Sequence, residues 1–167
     1  MLKELKNENQ EFVKDLKIRL IGQVDQSVVQ NLKATGLMDN TEIVAHIPHD
    51  EVQQAQQSSQ VLLLLINNTP NAKGILTGKL FEYLSSGRPI LCIGPEDGDA
   101  AEILKDTHAG ITVGFDDKDE IKASLLSYYN RFKSQELSTS KTDCIRQYSR
   151  RSLSQKYASL LETVVSK

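Results

Sequence analysis

Six consecutive apolar residues, Val61-Leu62-Leu63-Leu64-Leu65-Ile66, constrain this chain more than any other segment. The run is far shorter than the roughly 20 residues needed to span a bilayer. It is also too uniformly apolar for a strand with one wet face. It therefore predicts a strand buried by helices on both sides, the usual setting of a parallel sheet in an α/β protein.

The flanking pattern agrees. Leu2, Leu5, Phe12, Val13 and Leu16 recur at helical spacing, predicting an amphipathic helix over 2–15. Lys17 to Gly22 alternates into a strand. Ser27 is the expected cap of a helix carrying Val28, Val29 and Leu32, with Gly36 as its stop. Glu42 to Ile47 reads as a second strand ended by Pro48, and Asp50 opens a short glutamine-rich helix. After the apolar run come a polar loop from Asn67 to Thr77 and a helix from Gly78 to Ser86, with a stop at Gly87-Arg88. A strand over Pro89–Ile93, a loop over Gly94–Gly98, a helix over 99–105 and a strand over Ile111–Val113 complete the alternation. From Asp119 the pattern is helical, broken near Ser138–Ser140 and resuming over 143–165.

Strands alternating with helices imply right-handed crossovers and a doubly wound, Rossmann-like parallel sheet, read as one domain over 1–167. Ligands of such sheets bind beyond the carboxyl ends of the strands. That directs attention to Pro48-His49-Asp50, Asn67 to Thr77, and Gly94 to Gly98. The first helix is of the kind that follows a strand, so the first strand of the sheet is expected to be missing from this chain.

Composition narrows the function classes. With 39% hydrophobic and 25% charged residues and a net charge of −2, the 167-residue chain is an ordinary globular protein without the basic surface that nucleic acid requires. Arg146, Arg150 and Arg151 form too short a cluster to alter this and read as a solvated helix face. Cys92 sits in the apolar segment Pro89–Ile93 as a small buried hydrophobe, and Cys144 lies far from it. No disulfide scaffold, metal-ligand spacing or cofactor motif is visible, and the charged start, Met1 to Asp15, is not a signal peptide. These features point to a soluble cytoplasmic chain with no membrane span.

The densest chemical signal runs from Asn71 to Ile90. It is a glycine-bearing loop entering a helix. Gly74 and Gly78 permit close backbone approach, and the N–H groups of the first helical turn, with Leu76 and Thr77 before them, favour an anion. Lys79 adds positive charge where the helix macrodipole is already positive, a cost that an anionic ligand relieves. Glu82 falls on the same helix face. A cation for phosphate beside a carboxylate for hydroxyls suits a nucleoside diphosphate and its ribose. The simpler reading is an ion pair between Lys79 and Glu82 on a solvated face with Gly78 as a turn residue, because short Gly–Lys loops are weakly specific.

On these residues the chain resembles the family 4 retaining glycosyltransferases, specifically the C-terminal, donor-binding domain of their GT-B fold. The resemblance rests on Ile47-Pro48-His49-Asp50-Glu51-Val52, on Val61 to Ile66, on Gly78-Lys79-Leu80-Phe81-Glu82-Tyr83-Leu84 with Gly87-Arg88-Pro89-Ile90, and on Tyr148-Ser149-Arg150-Arg151 with the helix around it. It implies that Glu82 contacts the donor ribose and that the base rests against Ile47 and Pro48. It further implies that Lys79 and the backbone of Leu76 to Gly78 face the diphosphate, and that the last helix, 143–165, crosses to an N-terminal acceptor domain. The family's first glutamate, which contacts the transferred sugar, falls at Gly74, so that carboxylate is absent here.

The implied activity moves a sugar from a nucleoside diphosphate to an acceptor hydroxyl with retention, and needs neither cofactor nor metal. A rival from another class is a non-catalytic binding or assembly module, associating with itself through a strand edge that a truncated sheet leaves open. A sugar-nucleotide epimerase of the same fold ranks last. His46 and His49 have no nucleophile or metal partner in the sequence, though His49 lies at a strand's carboxyl end, within reach of a ligand; Asp97-Gly98 reads first as a turn and second, because it faces the same edge, as a donor contact; Asp116 and Asp117 read as helix caps.

Overall fold

A computed structural model describes residues 2–137 and 142–165. The break expected near Ser138–Ser140 lies outside the described residues. The fold class is α/β with parallel strands, consistent with a Rossmann-like fold. The chain forms two compact units, Met1–Ser58 with Asp116–Glu136, and Ser59–Phe115 with Leu137–Lys167.

In the first unit the expected single helix over 2–15 is two, α1 (Leu2–Glu8) and α2 (Gln10–Asp15). The reason is Asn9, whose side-chain oxygen accepts from the Phe12 N–H at 2.9 Å and restarts the helix as a cap. Strand β1 (Ile18–Ile21) pairs in parallel with β2 (Thr41–Val44), Ile18 standing opposite Thr41. β2 stops short of the expected Ile47. Between them α3 (Gln26–Ala34) is capped by Asp25, not Ser27: the Asp25 carboxylate accepts the Ser27 N–H at 2.7 Å. The chain leaves α3 through Gly36, whose φ of 68° suits the left-handed turn that a side chain would resist. Asn40 donates to the carbonyls of Val13 and Leu16 at 2.9 and 3.0 Å and so fastens the turn into β2 onto the end of α2. Helix α4 (His49–Ser58) begins one residue before Asp50. Helix α7 (Lys118–Lys133) is capped by Asp117 and packs on α2 through an edge-to-face contact between Phe12 and Tyr129, with ring centroids 5.1 Å apart.

The second unit carries the larger sheet, in order β3 (Leu62–Leu65), β4 (Ile90–Ile93), β5 (Gly110–Val113), all parallel. Helices α5 (Gly78–Ser86) and α6 (Asp99–Thr107) make the crossovers. Their inward residues Leu80, Leu84, Ala100, Ile103 and Leu104 close one core with Leu62, Leu64, Ile66, Ile90 and Cys92. Burial pushes the Cys92 thiol above its ordinary range, as befits a packing residue. Gly110 is required by packing: a Cβ there would lie 2.0 Å from the Ile90 carbonyl oxygen.

The apolar run behaves differently from expectation. Leu62 and Leu64 are buried, but Leu63 and Leu65 are 51% and 61% exposed. Only one face of β3 is covered. At the far end the expected helix over 143–165 is interrupted, giving α8 (Thr142–Arg146) and α9 (Arg150–Val165).

Candidate functional site

Three loops leave the carboxyl ends of β3, β4 and β5, and specific contacts tie them together. The first, following Ile66, contains a 3-10 turn at Ala72–Gly74 and runs into α5. The second, Gly94–Gly98, runs into α6. Lys73 on the first forms an ion pair with Asp97 on the second, Nζ to Oδ2 2.5 Å, which holds the Asp97 carboxyl below its usual range. Gly98 lets the loops touch: a Cβ there would stand 3.0 Å from the Lys73 carbonyl oxygen and 3.2 Å from its Cα. Glu96 reaches the third loop, accepting the Gly114 N–H at 3.0 Å. Gly94 packs against Ile66, where a Cβ would meet side-chain carbons at 2.8 Å. These contacts fix one rim at the edge where a parallel sheet binds ligands.

Helix α5 opens onto this rim. Thr77 is its N-cap residue by backbone geometry, yet its hydroxyl makes no cap hydrogen bond and is buried without a partner. The N–H groups of Gly78 and Lys79 consequently lack the side-chain acceptor that most helix starts provide. A Cβ at Gly74 or Gly78 would meet nothing within 4 Å, so neither glycine is forced by protein packing and the space beside each is open.

Leu80 and Leu84 bury one side of α5 completely, which turns Lys79 and Glu82 outward on the other. Among the described residues neither side chain makes an ion pair or hydrogen bond. The solvated Lys79–Glu82 pair, the simpler reading of the sequence, is not formed. Burial, and next the Glu82 charge, raise the Tyr83 hydroxyl above its ordinary range.

The second unit thus brings together Gly74, Leu76, Thr77, Gly78, Lys79 and Glu82 along one loop and helix start, with Leu76 exposed. Ile47 and Pro48 belong to the first unit, just before α4. His46 and His49 are exposed there, and the His49 ring nitrogen lies 3.1 Å from the Gln53 amide. Sequence reasoning missed Lys73 and Glu96, and it gave Asp97 a turn first and a donor contact second. Their placement after the ends of β3 and β4 was the available signal. Among the described residues no group of three or more His, Cys, Asp or Glu side chains is arranged to hold a metal ion, and no helix is long and apolar enough to cross a membrane.

The fold is that of the Rossmann-like α/β class, whose members in general take ligands beyond the carboxyl ends of their strands. Comparison narrows the class: the sequence profile of the glycosyl transferase-like family matches residues 1–155. The chain belongs to that family, which supports a function in glycosyl transfer and implies, in general terms, a sugar donor and an acceptor as partners. No curated protein matches the sequence.

Proposed function

We propose that this chain holds the donor in a glycosyl-transfer reaction, binding a nucleoside diphosphate sugar at the start of α5. The observation that carries this reading is the uncapped first turn of α5 beside the exposed side chains of Lys79 and Glu82, which have no ion pair among the described residues. The diphosphate takes the N–H groups of Gly78 and Lys79 and the Lys79 ammonium, with Leu76, Thr77 and Gly74 bordering it. Glu82 accepts from the ribose hydroxyls. Negative charge grows on the departing diphosphate in the transition state, so donors already fixed there lower the barrier. In this reading transfer goes to an acceptor hydroxyl with retention, needs no metal or cofactor, and takes place in the cytoplasm. The chain acts as one donor-binding domain, with the region 143–165 reaching a separate acceptor-binding domain. The carboxylate absent at Gly74 leaves the sugar end of the site less defined than the nucleotide end.

Calorimetric titration with uridine, guanosine and adenosine diphosphate sugars tests this. One of them is expected to bind in the micromolar range, about −8 kcal/mol, with Lys79→Met weakening it. Absence of heat and of thermal shift with all three would remove the proposal.

A second reading, an assembly module that associates with itself through a strand edge, is favoured by one observation. Among the described residues the second unit's sheet has three strands, with β3 as an outer one.

A further inference from the structure

The proposed donor site has a direction. In that reading Glu82, a full turn inside α5, takes the ribose, and the first-turn amides of Gly78 and Lys79 take the diphosphate. The group joined to the far phosphate then lies over the residues that precede Gly78. These are the 3-10 turn Ala72–Gly74 and the segment from Ile75 to Thr77. Gly74 is four residues before Gly78, a span of at most about 14 Å. A Cβ on Gly74 would meet nothing within 4 Å, so there is room beside the turn for a bulky group.

One polar pair stands at that turn. Lys73 is its middle residue, and the Lys73 ammonium meets the Asp97 carboxylate, Nζ to Oδ2 2.5 Å. Two long side chains can cross by chance, but here the backbones approach as well: a Cβ on Gly98 would stand 3.2 Å from the Lys73 Cα. Glu96 accepts the Gly114 N–H at 3.0 Å and holds the same loop to the end of β5. Asp97 is thus presented from a loop held on two sides. The hydrogen bond from Lys73 keeps its carboxyl below the ordinary range, so it is an ionised acceptor at neutral pH.

The chemistry of the pair matches a sugar ring. An ammonium has three donors and a carboxylate about four acceptor positions. Their mutual contact uses one donor and part of the capacity of Oδ2, which leaves both groups able to bond further. A ring hydroxyl is at once donor and acceptor. It can therefore donate to Asp97 while accepting from Lys73, and a neighbouring hydroxyl takes the positions that remain. A bare nucleoside diphosphate carries no such group at this end. We propose that Lys73 and Asp97 bind the hydroxyls of the transferred sugar and so determine recognition of the sugar beyond that of the nucleotide. This deepens, and rests on, the reading of the start of α5 as a site for a nucleoside diphosphate sugar.

Calorimetric titration of the full chain with uridine, guanosine and adenosine diphosphates, each with and without an attached hexose, tests the proposal. Asp97→Ala and Lys73→Ala are each expected to weaken binding of the hexose conjugate at least about fivefold, as for a lost hydrogen bond to a charged group, and that of the bare diphosphate less than about twofold. Glu82→Ala, at the opposite end of the ligand, should weaken both. A pair that only braces the loops would shift both ligands together or neither. Either result overturns the sugar-binding role and leaves the donor site standing. If no diphosphate and no conjugate binds the parent chain, the donor reading falls and this proposal falls with it. Thermal unfolding identifies a variant that does not fold, and the other substitution then carries the comparison.

Discussion

Replacing Glu82 by alanine separates a ligand-binding carboxylate from a solvated one. In the free protein Glu82 has no ion pair or side-chain hydrogen bond among the described residues, and it projects from the face of α5 opposite the fully buried Leu80 and Leu84. Removing it strands no partner and opens no cavity, so unfolding free energy should change by no more than about 0.5 kcal/mol, as for surface sites without special contacts. Had Lys79 and Glu82 been paired, the loss would be about 0.3–0.5 kcal/mol and would vanish in a Lys79→Ala background. The effect on nucleotide binding is set by different physics. A carboxylate accepting from ribose hydroxyls makes charge-assisted hydrogen bonds worth about 1.5–3 kcal/mol each. Discounting for an exposed helix face leaves about 1–3 kcal/mol, or roughly 5- to 150-fold in Kd. Calorimetry with the donor identified by the titration series, alongside urea unfolding of both proteins, measures both quantities. The expected outcome is weaker donor binding at unchanged stability. Equal affinity for variant and parent would refute the assignment of Glu82, and a large loss of stability would show that the outward placement of its side chain has been misjudged.

Two further outcomes follow from the braced loops. Gly98→Ala places a methyl group 3.0 Å from the Lys73 carbonyl and 3.3 Å from that of Pro95, both backbone atoms that yield little, so unfolding free energy should fall by about 1–3 kcal/mol; thermal unfolding at the parent's midpoint checks it. Asp97 should titrate below its ordinary value of 3.8, chiefly because it accepts a hydrogen bond from Lys73. A depressed carboxylate contributes stability that is present above its unfolded value and lost as pH falls through its lower folded value, so the Lys73–Asp97 brace loosens only in acid. Carbon-13 titration of the carboxyl should show this midpoint, and Lys73→Ala should return it toward the ordinary value.

Alternation of period-two and period-3.6 segments made the element order of the chain readable, because burial of one face imposes those periods directly. Cap choice was less readable. Asp25 and Ser27 lie two residues apart and either is a good cap, so the helix start depends on which side chain reaches an amide. Asn9 ended one helix and began another inside what looks like a continuous amphipathic pattern, since its side chain offers the backbone a competing partner. The leucine run misled for a related reason: periodicity reports that a strand is apolar, but coverage of its second face depends on what else packs there, which no local pattern encodes. At the site, Lys79 and Glu82 were legible as one helix face because helical spacing fixes it. The Lys73–Asp97 pair was not, being 24 residues apart and dependent on the close approach that Gly98 permits.

That pairing bears on how the loop before α5 works. Lys73 and Lys79 lie on the same loop and helix start, yet the first is paired with Asp97 and the second has no ion pair among the described residues. Both members of the Lys73–Asp97 pair are 68% exposed, so water screens it and its energy is small. Its consequence is geometric: together with Gly98 it ties the turn Ala72–Gly74 to the start of α6, and Glu96 ties that start to the end of β5. If the proposed donor binds at the first turn of α5, it meets amides whose loop is braced against the loops after β4 and β5. Fixed dipoles need little reorganisation when charge develops beside them, so in the proposed reading this bracing lets the start of α5, with Lys79, stabilise a diphosphate leaving group.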